Sequence, residues 1–138
     1  MKYGKLIFAN DNFVMVKYYL ETNDVIEDYA HQDTLNLLEG KMLEASVVEA
    51  EEVPIDVVQI YSTVRVHSKS GWEETFDLVP PCEANINNDK ISVISSLGAK
   101  IIGLSEGDFL QYGLPGNIIN MKIEKVVQDG KRVKLHIP

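Results

Sequence analysis

The segment Asp89–Asp108, reading DKISVISSLGAKIIGLSEGD, constrains the fold more than any other part of the chain. A short apolar run, Lys90–Ile94, ends at the serine pair Ser95-Ser96. Either serine can accept a backbone N–H at a helix start. Gly98–Gly103 leaves room for only one or two helical turns, with Leu97, Ile101 and Ile102 turned toward a sheet. Ser105–Asp108 is a second, glycine-containing turn. Strand, tight helix and turn in this order predict an α+β domain.

The flanking sequence supplies the rest of the sheet. Val57–Val66 alternates, with Val58, Ile60, Val64 and Val66 on one face. Ser68–Gly71 is turn chemistry, and Trp72–Val79 is the return strand with Trp72, Phe76 and Leu78 facing alike. Pro80-Pro81 ends it, because proline removes a ladder donor. After the polar loop Glu83–Asp89 and the glycine segment, Phe109–Tyr112 and Ile118–Val127 read as strands around a Pro115-Gly116 turn. Asp129-Gly130 then predicts a last hairpin, with Val133, Leu135 and Ile137 alternating after it.

The first 52 residues differ in kind, and the acidic junction ending at Val53-Pro54 divides the chain into residues 1–52 and 53–138. Ala30, Thr34, Leu35, Leu38 and Met42 recur at helical spacing over Glu27–Glu44, with Gly40 near the end. Residues 5–20 fit two structures. Phe13, Val16, Lys17 and Leu20 fit a helix capped by Asp11, whereas the β-branched and aromatic content fits a hairpin through Asn10–Asn12. Charge is also uneven. Of the −8 total, residues 1–56 carry 12 acidic and 4 basic side chains, and residues 57–138 carry 9 of each. The acidic part repels phosphates and favours a basic protein surface; it also reads simply as a solvated face. Absence of a signal-peptide pattern and a single cysteine, Cys82, predict a cytoplasmic protein without an internal disulfide or membrane span.

Three stretches together resemble the Gre-type transcription elongation factors, in particular the C-terminal domain of GreA and GreB: EEVPIDVVQIYSTVRV (51–66), TFDLVPP (75–81) and ISVISSLGAKIIGLSEGDFLQYGLPG (91–116). The resemblance covers about Leu35–Val127. Within it, Ser92, Leu97-Gly98, Gly103 and Gly107-Asp108 follow the family pattern. Ser96 stands where the family usually has proline, and Tyr112 stands near its usual tryptophan. The resemblance implies a short N-terminal antiparallel helical hairpin followed by an FKBP-like domain, an antiparallel sheet with one short helix. It favours the helical reading of residues 5–20. It implies RNA polymerase as the protein partner, with the C-terminal domain as a docking module and indirect or weak DNA contact at most.

Full-length Gre factors carry a long coiled coil whose acidic tip reaches the polymerase's catalytic magnesium. A helix of about 45 residues is roughly 65 Å long, whereas helices of about 10–18 residues reach only about 15–27 Å. The short hairpin places this chain nearest to the short Gre-like proteins called regulators of nucleoside diphosphate kinase. The expectation is a monomeric, non-enzymatic transcription regulator, with no cofactor or metal of its own, that binds polymerase without normal cleavage stimulation. The expected partner-binding residues are Ser95, Ser96, Leu97, Gly98, Glu106, Gly107 and Asp108. The hairpin tip carries Asp24, Glu27 and Asp28, which are either carboxylate ligands for a partner's magnesium or a solvated loop whose charges favour the next helix.

Other readings are a stand-alone interaction module for a partner such as a kinase, and a prolyl isomerase using Trp72, Phe76, Phe109 and Tyr112 as an aromatic pocket. Those four side chains read more simply as core and sheet packing. His31, His67 and His136 are dispersed and do not make a zinc site. Cys82 shows no base partner. Lys122, Lys125, Lys131, Arg132 and Lys134 form the densest basic cluster, read either as a contact for DNA or polymerase or as a solvated sheet face.

Overall fold

The computed structural model describes residues 1–135. Along the chain lie β1 (Ile7–Ala9), α1 (Asn10–Thr22), α2 (Tyr29–Met42), β2 (Ser46–Val48), β3 (Thr63–Ser68), β4 (Glu73–Val79), β5 (Lys90–Ser92), α3 (Gly98–Ile101), β6 (Phe109–Tyr112) and β7 (Ile119–Val127). The α+β class is as expected, with a helical pair followed by a curled sheet and one short helix. No helix among the described residues is long and apolar enough to cross a membrane.

Residues 10–22 are helical, and Asn12, Met15 and Val16 form the buried side of α1. The β-forming tendency of the same region is expressed just upstream. There Ile7–Ala9 pairs in parallel with Ser46–Val48, closing the base of the helical pair. Asp11 is not the N-cap. The strand runs directly into the helix, so extended Ala9 holds that position without a side-chain cap. Asp11 lies in the first turn, where a negative charge is favourable, and accepts from Arg132 Nε at 2.9 Å. In α2, Thr34, Leu35, Leu38 and Met42 are buried at the expected spacing, joined by His31. Asp28 caps this helix by accepting the His31 N–H at 2.8 Å.

The large sheet has the order β5-β4-β3-β7-β6. It is mixed rather than wholly antiparallel, because β4 and β5 run parallel. After Pro80, two single 3₁₀ turns and left-handed Asp89 (φ 54°) carry the chain back before it re-enters the sheet. The expected strand Val57–Val66 begins only at Thr63. Gln59–Ser62 is a turn, closed by Ser62 N–H to Gln59 O at 3.0 Å, with Tyr61 at φ 76°. Residues 57–60 are all buried, so they show no strand alternation.

The hairpin expected after Asp129-Gly130 does not form within the described residues. Gln128 turns its side chain inward to Val57 O (2.7 Å) and accepts from Ser62 Oγ (2.8 Å). Asp129 closes a local turn onto Lys131 N–H. The following residues run over the N-terminal region, with Arg132 on Asp11 and Val133 buried. Val133 and Leu135 are therefore not in a strand; Ile137 and His136 lie outside the described residues. Phe109 is the other reversal. Expected in the core, it is 71% exposed, whereas Phe76 is buried and Trp72 and Tyr112 are partly so.

One apolar cluster contains Phe8, Met15 and Leu35 together with Val64, Phe76, Ile101 and Ile123, so it extends across the junction at residue 53. Two buried amides tie the halves together. Gln59 Nε2 donates to Ile7 O (2.9 Å) and Val58 O (2.8 Å), and its Oε1 accepts the Ala9 N–H (2.8 Å). Asn12 Oδ1 accepts the Ile60 N–H at 2.7 Å. Replacing Gln59 by leucine keeps approximate volume but leaves the Ala9 N–H and Ile7 C=O without partners. Each buried orphan costs about 1–3 kcal/mol. Gln59→Leu should lower stability by about 2–4 kcal/mol in urea unfolding; a change under about 0.5 kcal/mol would show that the amide is not the anchor.

Candidate partner-binding site

The loop Ser92–Gly98 is built by short-range hydrogen bonds. Ser92 O accepts from Ser95 N (3.0 Å) and Ser95 Oγ (2.6 Å), and Ser95 Oγ accepts the Gly98 N–H at 3.1 Å. Of the two serines expected to accept a backbone N–H at the helix start, Ser95 does so, although the N-cap position itself is Leu97, which has no side-chain cap. Gly98 is required by space, because a Cβ there would sit 2.1 Å from Ser92 O. Leu97 and Gly98 are buried. Ser96 alone turns its polar groups outward.

Those groups meet the loop between α1 and α2. Glu27 Oε2 accepts the Ser96 N–H at 3.0 Å, and Glu27 Oε1 accepts from Ser96 Oγ at 2.9 Å. Beneath this contact His31 is 3% exposed. Its Nδ1 accepts the Glu27 N–H at 2.9 Å, which places the proton on Nε2, 2.8 Å from Ile94 O. The hairpin tip is therefore fastened to the start of α3 by a carboxylate and an imidazole. Of the three tip carboxylates, Glu27 engages Ser96, Asp28 caps α2, and Asp24 is exposed without a hydrogen bond among the described residues.

A cleft of about 240 Å³ opens beside the latch. Tyr29 and Leu37 of α2 face Leu114 and Ile118 of the β6–β7 turn, with Asp33 and Lys100 at its margin. All four apolar side chains are exposed. Burial raises the Tyr112 phenol above its ordinary pKa, assisted by the negative charges of Glu27, Glu74 and Asp28. Exposed apolar groups with charges at their edge suit a protein side chain better than a small polar ligand.

The other expected segment serves a different part of the fold. Asp108 is 7% exposed. Its Oδ2 accepts from Ser105 N (2.9 Å) and Ser105 Oγ (3.0 Å), and its Oδ1 accepts the Lys2 N–H at 2.7 Å. Glu106 N–H donates to Asp56 O, and the Asp56 carboxylate holds Lys2 Nζ and the Tyr3 hydroxyl. Burial pushes the Asp56 pKa up, but these hydrogen bonds and the lysine charge outweigh it, leaving it below its ordinary value. Only Glu106 and Gly107 of this turn face outward. The seven expected residues thus form two separate outward features, at Ser96 and at Glu106-Gly107.

Several side chains outside that set define the site. Glu27 was legible as an acidic tip residue, but its partner lies 69 positions away and no local pattern announces it. His31, one of three dispersed histidines, has no local sequence signal for its contacts with Glu27 and Ile94. The basic cluster is also divided. Lys122 lies over the Phe109 ring, Lys131 over Tyr61, and Arg132 on Asp11. No group of three or more His, Cys, Asp or Glu side chains converges on a metal position among the described residues. Cys82 is an exposed free thiol.

Two outcomes follow from the carboxylates. Asp108→Ala strips three donors of their acceptor and should cost about 2–4 kcal/mol in urea unfolding; loss below about 0.5 kcal/mol would exclude a structural role. A double-mutant cycle of Glu27→Gln with Ser96→Ala should give a coupling of about 0.5–1 kcal/mol, with faster amide exchange at Ser96. Additive effects and unchanged exchange would show that the latch is not formed in solution.

The C-terminal family "Transcription elongation factor, GreA/GreB, C-term" matches residues 51–128. The chain is 34% identical over 90 residues to the transcription elongation factor GreA of Thermoanaerobacter pseudethanolicus, covering 64% of this chain and 57% of that protein. With GreA of Clostridium botulinum strain Hall it shares 30% identity over 122 residues, or 80% of this chain and 76% of the relative. Among solved structures, the prokaryotic transcription elongation factor GreA/GreB from Nitrosomonas europaea superposes with a TM-score of 0.72 at 28% identity, covering 89% of this chain and 98% of that one. Thermus aquaticus Gfh1 shares the fold, with a TM-score of 0.50 at 18% identity over 89% of this chain and 98% of its own. With its sheet, its buried glycine helix and its Ser105–Asp108 turn all inside the matched segment, the chain belongs to the GreA/GreB transcription elongation factor family.

Proposed function

We propose that this chain is a non-enzymatic transcription regulator that docks on RNA polymerase through its C-terminal domain and does not stimulate transcript cleavage. The family membership supports a polymerase partner. The observation that carries the second half is the latch. The two helices have 13 and 14 residues, about 20 Å each at 1.5 Å per residue. The loop joining them is folded back onto Ser96, with Glu27 and Asp28 already committed to protein donors. Carboxylates held this way are poorly placed to complete a metal site in a partner. In this reading Ser96, Glu106 and Gly107 face the polymerase, and the acidic N-terminal region complements a basic surface of that partner.

The test is binding of the purified protein to its host's core polymerase at low and physiological salt, followed by cleavage assays on stalled elongation complexes. Saturable binding with Kd at or below about 1 μM, equivalent to about −8 kcal/mol, should be displaced by a full-length Gre factor. Glu106→Lys should weaken it at least about fivefold, mainly through association rate, whereas cleavage rates should stay at background. Absence of binding at both salts would move the protein to another partner, such as a kinase. Accelerated cleavage would overturn the non-cleaving half of the proposal.

A further inference from the structure

We propose a second interaction surface at the free edge of β6, which takes an extended, acidic peptide segment of a partner protein as an added strand. Strand β6 ends the five-stranded sheet and pairs on one side only, with β7. Its register places Leu110 opposite Met121 and Tyr112 opposite Ile119, and Ile123 N–H donates to Asp108 O. Antiparallel pairs alternate between bonded and non-bonded positions. Leu110 and Tyr112 therefore turn their backbone groups toward β7. Phe109 and Gln111 turn theirs outward, where they meet no partner among the described residues.

The space along this edge is a groove of about 570 Å³ lined by Phe109, Leu110 and Gln111 of the strand itself. Lys41 of α2 and Lys100 of α3 border it from the helical side, and Lys69 borders it from the β3–β4 turn. Its lining contains no carboxylate, in a chain whose net charge is −8. None of the three lysines makes a salt bridge among the described residues. Phe109 stands 71% exposed at the groove, with Lys122 Nζ 5.7 Å from its ring centre.

These features select one occupant. Unpaired N–H and C=O groups spaced along an edge bind the backbone of another strand. Alternate side chains of that strand point to opposite faces, so carboxylates at every second position line one face of the added strand, toward the lysines that border the groove. A second copy of β6 would bring the lysines against their like. Nucleic acid would use the positive charge but leave the backbone edge unmet, against the field of an acidic protein. The inference is independent of polymerase binding, because it invokes none of Ser96, Glu106 or Gly107.

A fluorescent hexapeptide of alternating glutamate and valine is the probe. Titration into the full chain, followed by anisotropy and amide NMR, should give saturable, salt-sensitive binding with shifts centred on Phe109–Tyr112. The same peptide with lysine in place of glutamate should bind at least about tenfold more weakly. The variant Lys41→Glu/Lys69→Glu/Lys100→Glu should lose at least about tenfold, with its urea midpoint recording that the fold is kept. Gln111→Pro removes an outward N–H at an edge position where proline is tolerated and should abolish the shifts. If that variant unfolds, the lysine variant decides alone. No binding at millimolar peptide, shifts mapping elsewhere, or preference for an oligouridylate probe over the acidic peptide would each overturn the proposal.

Discussion

The buried amide of Gln59 is the constraint on which the arrangement of this molecule depends. Three backbone groups from two chain regions converge on it: Ile7 O and Ala9 N–H, which have no other backbone partner among the described residues, and Val58 O, which also accepts the Gly103 N–H. Asn12 makes the reverse connection, from α1 to Ile60 N–H. The N-terminal helical pair is thus fixed to the sheet by directional bonds as well as by apolar contact. Apolar packing alone tolerates sliding, whereas a buried amide with one satisfiable geometry does not. This fixed base positions α2 so that Glu27 and His31 reach the Ser92–Gly98 loop.

The same network explains how β7 ends. Ser62 Oγ accepts the Gln59 N–H and donates to Gln128 Oε1, and Gln128 Nε2 continues to Val57 O. Drawing Gln128 inward diverts the chain from a hairpin toward α1. Tyr61 must adopt φ 76° to close the turn at this point, a conformation that costs a non-glycine residue about 1 kcal/mol or more. Its hydroxyl bonds Glu83 and its ring lies under Lys131, contacts that offset part of that strain. Burial, with help from Glu83, raises the pKa of this phenol, which stays a donor to the carboxylate.

Most strands of the large sheet and α2 were legible because their apolar spacing matches the faces they bury. Residues 5–20, by contrast, fitted helix and hairpin alike, and only the resemblance favoured the helix, which buries Asn12, Met15 and Val16 rather than Phe13, Lys17 and Leu20. The readings that failed were those in which a polar side chain overrides local pattern. Val57–Ile60 looks like the start of a strand, but Gln59 makes it a buried connector. Asp129-Gly130 has hairpin chemistry, but Gln128 has already left the sheet. Three-residue strands such as β1 and β2 are too short for alternation to register, and their pairing across 39 positions is invisible to any local window. Phe109 shows the converse limit. Alternation places it on one face of β6, but whether that face is covered depends on a neighbouring element, and β6 has none on its outer side.

The motif that most strongly marks the family also shows why a match to it fixes fold before function. Gly98 is there because Ser92 O leaves no room for a Cβ. Ser95 accepts the Gly98 N–H, Leu97 packs, and Asp108 satisfies Ser105 and the Lys2 amide. Each follows from local satisfaction of space or hydrogen bonds, and a chain keeping the fold needs them whatever it binds. Polymerase docking and strand addition at β6, as proposed, rest instead on residues the motif leaves free: Ser96 and its partner Glu27, the outward Glu106, and the lysines around β6. Function resides in such grafted surface positions rather than in the scaffold. In the proposed reading, a Gre-type domain whose hairpin tip is bound to its own start of α3 keeps the scaffold while Glu27 and Asp28 stay committed to donors of the same chain.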